Sequence, residues 1–101
     1  MTTIIVLFNL RPDIKVADYE KFARQIDLPA VNRLPSVNSF EVLRTVGLMD
    51  GSPAPYQYIE VLRIESIDAL GKDVSVPAMQ KVVETFRAMA DNPLFIVTEA
   101  L

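Results

Sequence analysis

The chain contains no cysteine, no histidine and only three glycines among 101 residues. Without cysteine there is no disulfide, no thiolate nucleophile and no cysteine-based metal site. Without histidine the commonest general base and metal ligand is missing too. Acid and base chemistry therefore falls to Asp, Glu, Tyr, Lys or Arg. No Asp/Glu run has the spacing of a calcium loop, and no glycine-rich turn suits a nucleotide phosphate, so neither a metal nor a flavin or nicotinamide is expected. Positive charge is scarce as well. Ten Lys and Arg face thirteen Asp and Glu, a formal charge of −3, and no basic cluster stands out, which argues against nucleic acid as a partner. The apolar run from Ile4 to Phe8 is too short to cross a membrane and has no basic leader, so the expectation is a cytoplasmic protein without membrane attachment.

What is present is apolar: half of the residues are hydrophobic, and no low-complexity tract interrupts them. A chain of this length has room for one domain, residues 1–101. Its centre is a pair of near-identical pentapeptides, Phe40-Glu41-Val42-Leu43-Arg44 and Ile59-Glu60-Val61-Leu62-Arg63. Both lie in runs of β-branched and aromatic residues, separated by a Gly/Pro-rich segment, and read as an antiparallel hairpin with a long loop. Charge argues for a register that sets Glu41 opposite Arg63 and Arg44 opposite Glu60. That register puts Phe40, Val42, Arg44, Tyr58, Glu60, Leu62 and Ile64 on one face and Glu41, Leu43, Thr45, Ile59, Val61 and Arg63 on the other.

Around the hairpin the pattern continues. Thr3 to Asn9 is apolar at both parities, as for a central strand. Lys15 to Ile26 places Val16, Tyr19, Phe22, Ala23 and Ile26 at helical spacing, and Asp27 with Leu28-Pro29 has the form of a cap opening a further turn. After the hairpin, Ser66 starts a short helix that Gly71 is placed to interrupt. Ser75-Val76-Pro77 opens a longer helix with Met79, Val82, Val83, Phe86 and Met89 on one face, and Asn92-Pro93 precedes a strand over Leu94 to Thr98. The order βαββαβ predicts an α+β, ferredoxin-like fold, a four-stranded antiparallel sheet with helices on one face. The strands are apolar on both parities, yet two helices cover one face only. A second copy packed sheet to sheet, a homodimer, is the simplest cover.

These residues resemble the dimeric α/β-barrel superfamily over nearly the whole chain, and within it the RedY-like proteins associated with prodiginine-type pigments. The likeness is carried by Thr2 to Leu10, Asp27-Leu28-Pro29-Ala30-Val31, Leu34-Pro35-Ser36-Val37, Pro55-Tyr56-Gln57-Tyr58, Asp91-Asn92-Pro93 and Val97-Thr98-Glu99. The resemblance implies a place in secondary metabolism. The superfamily holds cofactor-independent monooxygenases, isomerases and cyclases, and also binding modules. Many members carry one histidine before a proline after the first helix and another before the last helix. Here Asp27 stands at the first position and Asp73 at or near the second, and Glu60 falls where many relatives have a glutamate in the third strand.

The candidate catalytic residues are accordingly Asp27, Glu60, Arg44 and Tyr58, with Asn9, Phe40, Asp73, Met79 and Phe86 as substrate-binding candidates. Each also has a plainer reading. Asp27 is either a general base or a helix cap; Arg44 and Glu60 are either a polar site for a carbonyl or carboxylate or a register-setting ion pair. Tyr58 is a proton donor or a core aromatic, Asn9 a ligand contact or the start of a loop, and Met79 and Phe86 pocket walls or ordinary core. Two function classes follow. One is a cofactor-independent enzyme acting by proton transfer on a small aromatic or heteroaromatic metabolite, with cofactor-free oxygenation as the variant chemistry. The other is a non-catalytic carrier of a pathway intermediate, or a module that partners a larger pathway enzyme.

Overall fold

The computed structural model describes residues 2–101. Strand β1 (Thr2–Leu10) is followed by helix α1 (Val16–Phe22), a π-helical turn (Ala23–Asp27) and α2 (Leu28–Asn32) in one continuous helical rod. The hairpin strands β2 (Val37–Arg44) and β3 (Tyr58–Ile64) come next, then α3 (Ile67–Asp73), α4 (Pro77–Met89) and β4 (Ala90–Glu99). The four strands form one antiparallel sheet in the order β2-β3-β1-β4. This is the α+β, ferredoxin-like arrangement expected from the element order, with the apolar β1 in the interior of the sheet.

The helices pack on the face that carries Ile4, Val6, Phe8 and Leu10, all buried. Phe8 anchors the layer contact: its ring meets Tyr19 of α1 edge-on at 5.5 Å, Phe86 of α4 edge-on at 5.0 Å, and stacks on Tyr58 of β3 at 5.6 Å. Aromatic contacts of this geometry add about 0.5–1.5 kcal/mol each beyond the area they bury.

The hairpin register differs from the charge-based expectation by two residues. Phe40 pairs with Leu62, Val42 with Glu60 and Arg44 with Tyr58, while Glu41 stands opposite Val61. Because the slip is even, every side chain keeps its predicted face. The Glu41–Arg63 ion pair survives as a diagonal contact of 3.3 Å between exposed side chains. The Arg44–Glu60 pair does not form. A cross-strand ion pair contributes at most about 1 kcal/mol, too little to dictate register against apolar matching such as Phe40 with Leu62.

Three local expectations are corrected. Asp27 is not a cap: it has helical backbone angles and makes no capping hydrogen bond. A proline within a helix lacks one N–H and crowds the carbonyl four residues back, and the π turn just before Pro29 relieves that crowding. The extra residue in that turn rotates the rod, so that Asp27 is buried while Ile26, expected inside, is exposed. Gly71 does not interrupt α3, which runs through it from a Ser66 cap whose Oγ accepts from the Ala69 N–H at 3.1 Å. The last strand also begins before Asn92-Pro93: the chain passes through that pair in a β-bulge, where the β1–β4 register shifts by one and Asn92 adopts φ 45°. A bulge on an edge strand is where a strand proline is tolerated.

Candidate functional site

Between the helices and the sheet lies a cavity of about 150 Å³. Its walls are apolar: Phe40 and Leu62 from the sheet, Val31 from α2, Met79 and Phe86 from α4. Into it project two carboxyls, Glu60 from the middle of β3 and Asp27 from the π turn, only 6% and 5% exposed. Arg87, itself exposed, is the third charged residue on the wall. A cavity of about this volume accommodates a single aromatic ring.

The electrostatics of the two carboxyls follow from the fold. Val42 and Val6 flank Glu60 on the neighbouring strands, so its side chain stands on an apolar floor. Its Oε2 is buried and has no hydrogen-bond partner. Burial, reinforced by the negative charge of Asp27, pushes the Glu60 carboxyl up to about 8. Burial alone raises Asp27 to about 6. A carboxyl that is neither paired nor solvated answers the cost of burial by keeping its proton. At neutral pH the cavity therefore holds one protonated and one largely ionised carboxyl.

Tyr19 belongs to the same neighbourhood. Its hydroxyl is buried without a partner, and its titration is pushed upward first by burial and then by the charges of Glu60 and Asp27. Sequence reasoning assigned Tyr19 only to the apolar stripe of its helix. Asp27, eight positions further on, carries no local sign that a π turn will bring it inward as well.

Of the residues named from sequence, the structure brings Asp27, Glu60, Phe40, Met79 and Phe86 to this cavity. Arg44 and Tyr58 lie elsewhere, in a second hollow on the same sheet face. Arg44 donates to Glu20 of α1 from Nε at 2.7 Å and from Nη2 at 2.5 Å, and the Tyr58 hydroxyl donates to Glu20 Oε2 at 2.7 Å. Glu20 went unrecognised, since nothing near it in the chain signals an arginine 24 residues away. Asp73 is not on the cavity wall: its Oδ2 accepts the Ser36 N–H at 2.8 Å and so ties the end of α3 to the start of β2. Hydrogen bonding to Ser36, side chain first and then backbone, holds the Asp73 carboxyl below the usual range. Asn9 secures the β2–β3 loop, donating to the Pro55 carbonyl at 3.3 Å and accepting the Gln57 N–H at 2.9 Å. Among the described residues no group of three or more acidic side chains is placed to hold a metal ion.

An antiparallel four-stranded sheet with helices on one face is the ferredoxin-like architecture of the dimeric α/β-barrel proteins, and solved structures of that class share the fold. Among them are proteins described as dimeric, from Bacteroides fragilis and Thermobifida fusca. The chain belongs to the REDY-like protein HapK family, whose model matches residues 2–101. The crystal structure of HapK from Hahella chejuensis is 29% identical, covers 100% of this chain and 93% of its own, and superposes with a TM-score of 0.79. At3g17210 from Arabidopsis thaliana is 17% identical with a TM-score of 0.81, covering 100% of this chain and 96% of its own. SnoaB from Streptomyces nogalater, a cofactor-independent oxygenase, is 18% identical with a TM-score of 0.76, covering 99% and 92%. No protein of curated function matches the sequence. Among the described residues no helix is long and apolar enough to cross a membrane.

Proposed function

We propose that the cavity between helices and sheet takes a small, largely apolar aromatic or heteroaromatic metabolite of a secondary pathway, and that Glu60 and Asp27 act on it as general acid and general base. The observation that carries this reading is the Glu60 carboxyl, buried and unpartnered in an apolar cavity beside a second buried carboxyl. Such a group costs stability unless a ligand uses it, and two carboxyls with separated titrations are the usual form of an acid/base pair. Asp27, with the lower value, takes a proton from a carbon next to a carbonyl. The C–H electron pair becomes a C=C bond, and the carbonyl oxygen receives the Glu60 proton. The resulting enol then isomerises, closes a ring or condenses, using only the protons the two carboxyls exchange.

The test is deuterium exchange, followed by NMR, into a panel of aromatic and heteroaromatic ketones in D2O. The wild type should exchange an α-proton, and Glu60→Gln and Asp27→Asn should each lose about 100-fold or more. Binding without exchange at any pH would make the protein a carrier. Absence of any binding in the cavity would overturn the reading.

We infer also that the protein works in the cytoplasm as a homodimer with facing sheets. The sheet face turned away from the helices carries Ile5, Leu7, Ile59 and Val61, half-buried, and Leu43, Leu94 and Ile96, exposed. That continuous apolar surface, and the description of two fold relatives as dimeric, support the reading.

A further inference from the structure

The second hollow, about 210 Å³, lies where α1 and the π turn cross the ends of β2 and β3. Its walls are Tyr19, Ala23, Leu28 and Val42, and its charged residues are Glu20, Arg24 and Arg44. Glu20 is the hub. Its carboxylate accepts two hydrogen bonds from Arg44, one from the Tyr58 hydroxyl at 2.7 Å and one from Arg24 Nη2 at 3.2 Å. Hydrogen bonds from Arg44 and then Tyr58 hold Glu20 down to about 2, so it stays ionised at any physiological pH.

The hollow therefore contains one fixed negative charge and two positive ones. The geometry also separates them: the Glu20 side chain is 12% exposed, while those of Arg44 and Arg24 are 57% and 68% exposed. A solute arriving from water meets guanidinium N–H groups, not the carboxylate beneath them. Among the described residues neither arginine donates to any partner except Glu20, so each retains N–H donors in a fork suited to a carboxylate.

We propose that this hollow is a binding subsite, separate from the Glu60–Asp27 cavity, for a monoanionic carboxylate carried on a single ring or a short acyl body. The surplus of one positive charge matches one carboxylate, whereas a phosphate dianion would leave a negative charge uncompensated. The apolar walls receive the body, and a volume above the roughly 150 Å³ that accepts a benzene ring leaves space for the acid group. Glu20 is the positioning residue, since the three bonds it accepts from Arg44 and Arg24 hold both guanidiniums over the opening.

The probe is sodium benzoate, with benzamide as its neutral counterpart, titrated into isotopically labelled protein and followed by amide and arginine Nε–H NMR signals. Benzoate should move the signals of Ala23, Arg24, Val42 and Arg44 to saturation, and benzamide should bind about tenfold more weakly or worse. Arg24→Gln and Arg44→Gln should each weaken benzoate about tenfold, with amide spectra otherwise native. Glu60→Gln should leave the titration unchanged, which separates this site from the proposed acid/base cavity. Equal binding of benzoate and benzamide would overturn the proposal. So would shifts confined to Phe40, Leu62 and Val82, or an unaltered titration in the Arg24→Gln, Arg44→Gln double variant.

Discussion

Arg44 and Glu60 share a face of the sheet and do not meet: the Arg44 guanidinium grips Glu20 of α1 through two hydrogen bonds, and Glu60 is left with an unpartnered buried oxygen. Had the two been paired, removing the arginine would strand a buried charge at a cost of about 3–5 kcal/mol. In the observed arrangement the Arg44 side chain is 57% exposed, and exposed ion pairs are worth about 0–1 kcal/mol. Arg44→Ala should therefore lower stability in urea unfolding far less than stranding a buried charge would. A loss of several kcal/mol would mean that Arg44 supports Glu60 after all.

The two buried carboxyls give stability an unusual pH dependence. Glu60 rises from 4.5 unfolded to about 8 folded, and Asp27 from 3.8 to about 6. Between those limits the folded chain holds protons that the unfolded chain releases, so stability is full below the unfolded values and falls as pH rises through the folded ones. The slope is at most about 1.4 kcal/mol per pH unit for each group. Glu20 works in the other direction: lowered from 4.5 to about 2, its contribution is present above the unfolded value and lost as pH falls through the folded one. Stability should thus peak in mildly acidic solution and decline toward pH 8, and Glu60→Gln should flatten that decline. Thermal unfolding across the range decides it, and a wild-type curve that rises from pH 5 to pH 8 would rule the assignment out.

The fold was legible because it depends on patterns the chain states locally. Short runs of β-branched and aromatic residues in β1, β3 and β4, helical spacing in α4, and Pro77 at its start all name their elements without tertiary information. The cavity was legible in part for the same reason, since Glu60, Phe40, Met79 and Phe86 sit on faces that parity and helical period assign. Asp27 was identified as a candidate, but its inward direction depends on the π turn before Pro29, and the helical spacing had put Ile26 inside instead. Arg44 was assigned the wrong partner because charge complementarity has no unique solution. Glu20 satisfies it as well as Glu60 does, and α1 brings Glu20 within reach while leaving the carboxylate close to water, where an ion pair costs less desolvation.

The uncovered sheet face bears directly on oligomeric state. Leu43, Leu94 and Ile96 are 44%, 46% and 43% exposed, on the same side as the half-buried Ile5, Leu7, Ile59 and Val61. An apolar surface of that extent is costly to leave in water. Light scattering after gel filtration should return twice the mass of the 11.3 kDa chain at micromolar concentration. Val61→Lys, at the centre of that face, should shift the population toward monomer and aggregate. A wild type that stays monomeric and soluble would remove the sheet-to-sheet dimer.

Tyr19 and Tyr58 touch, their ring centroids 4.8 Å apart, yet their hydroxyls predict opposite results when removed. The Tyr58 hydroxyl donates to Glu20, so Tyr58→Phe forfeits a charge-assisted hydrogen bond and should cost about 1–2 kcal/mol, with the Glu20 carboxyl titrating at a higher pH. The Tyr19 hydroxyl is buried with no partner, so Tyr19→Phe removes an unsatisfied group without changing the packed ring, and should be neutral or stabilising by up to about 1 kcal/mol. Destabilisation by Tyr19→Phe would show that the hydroxyl already has a partner.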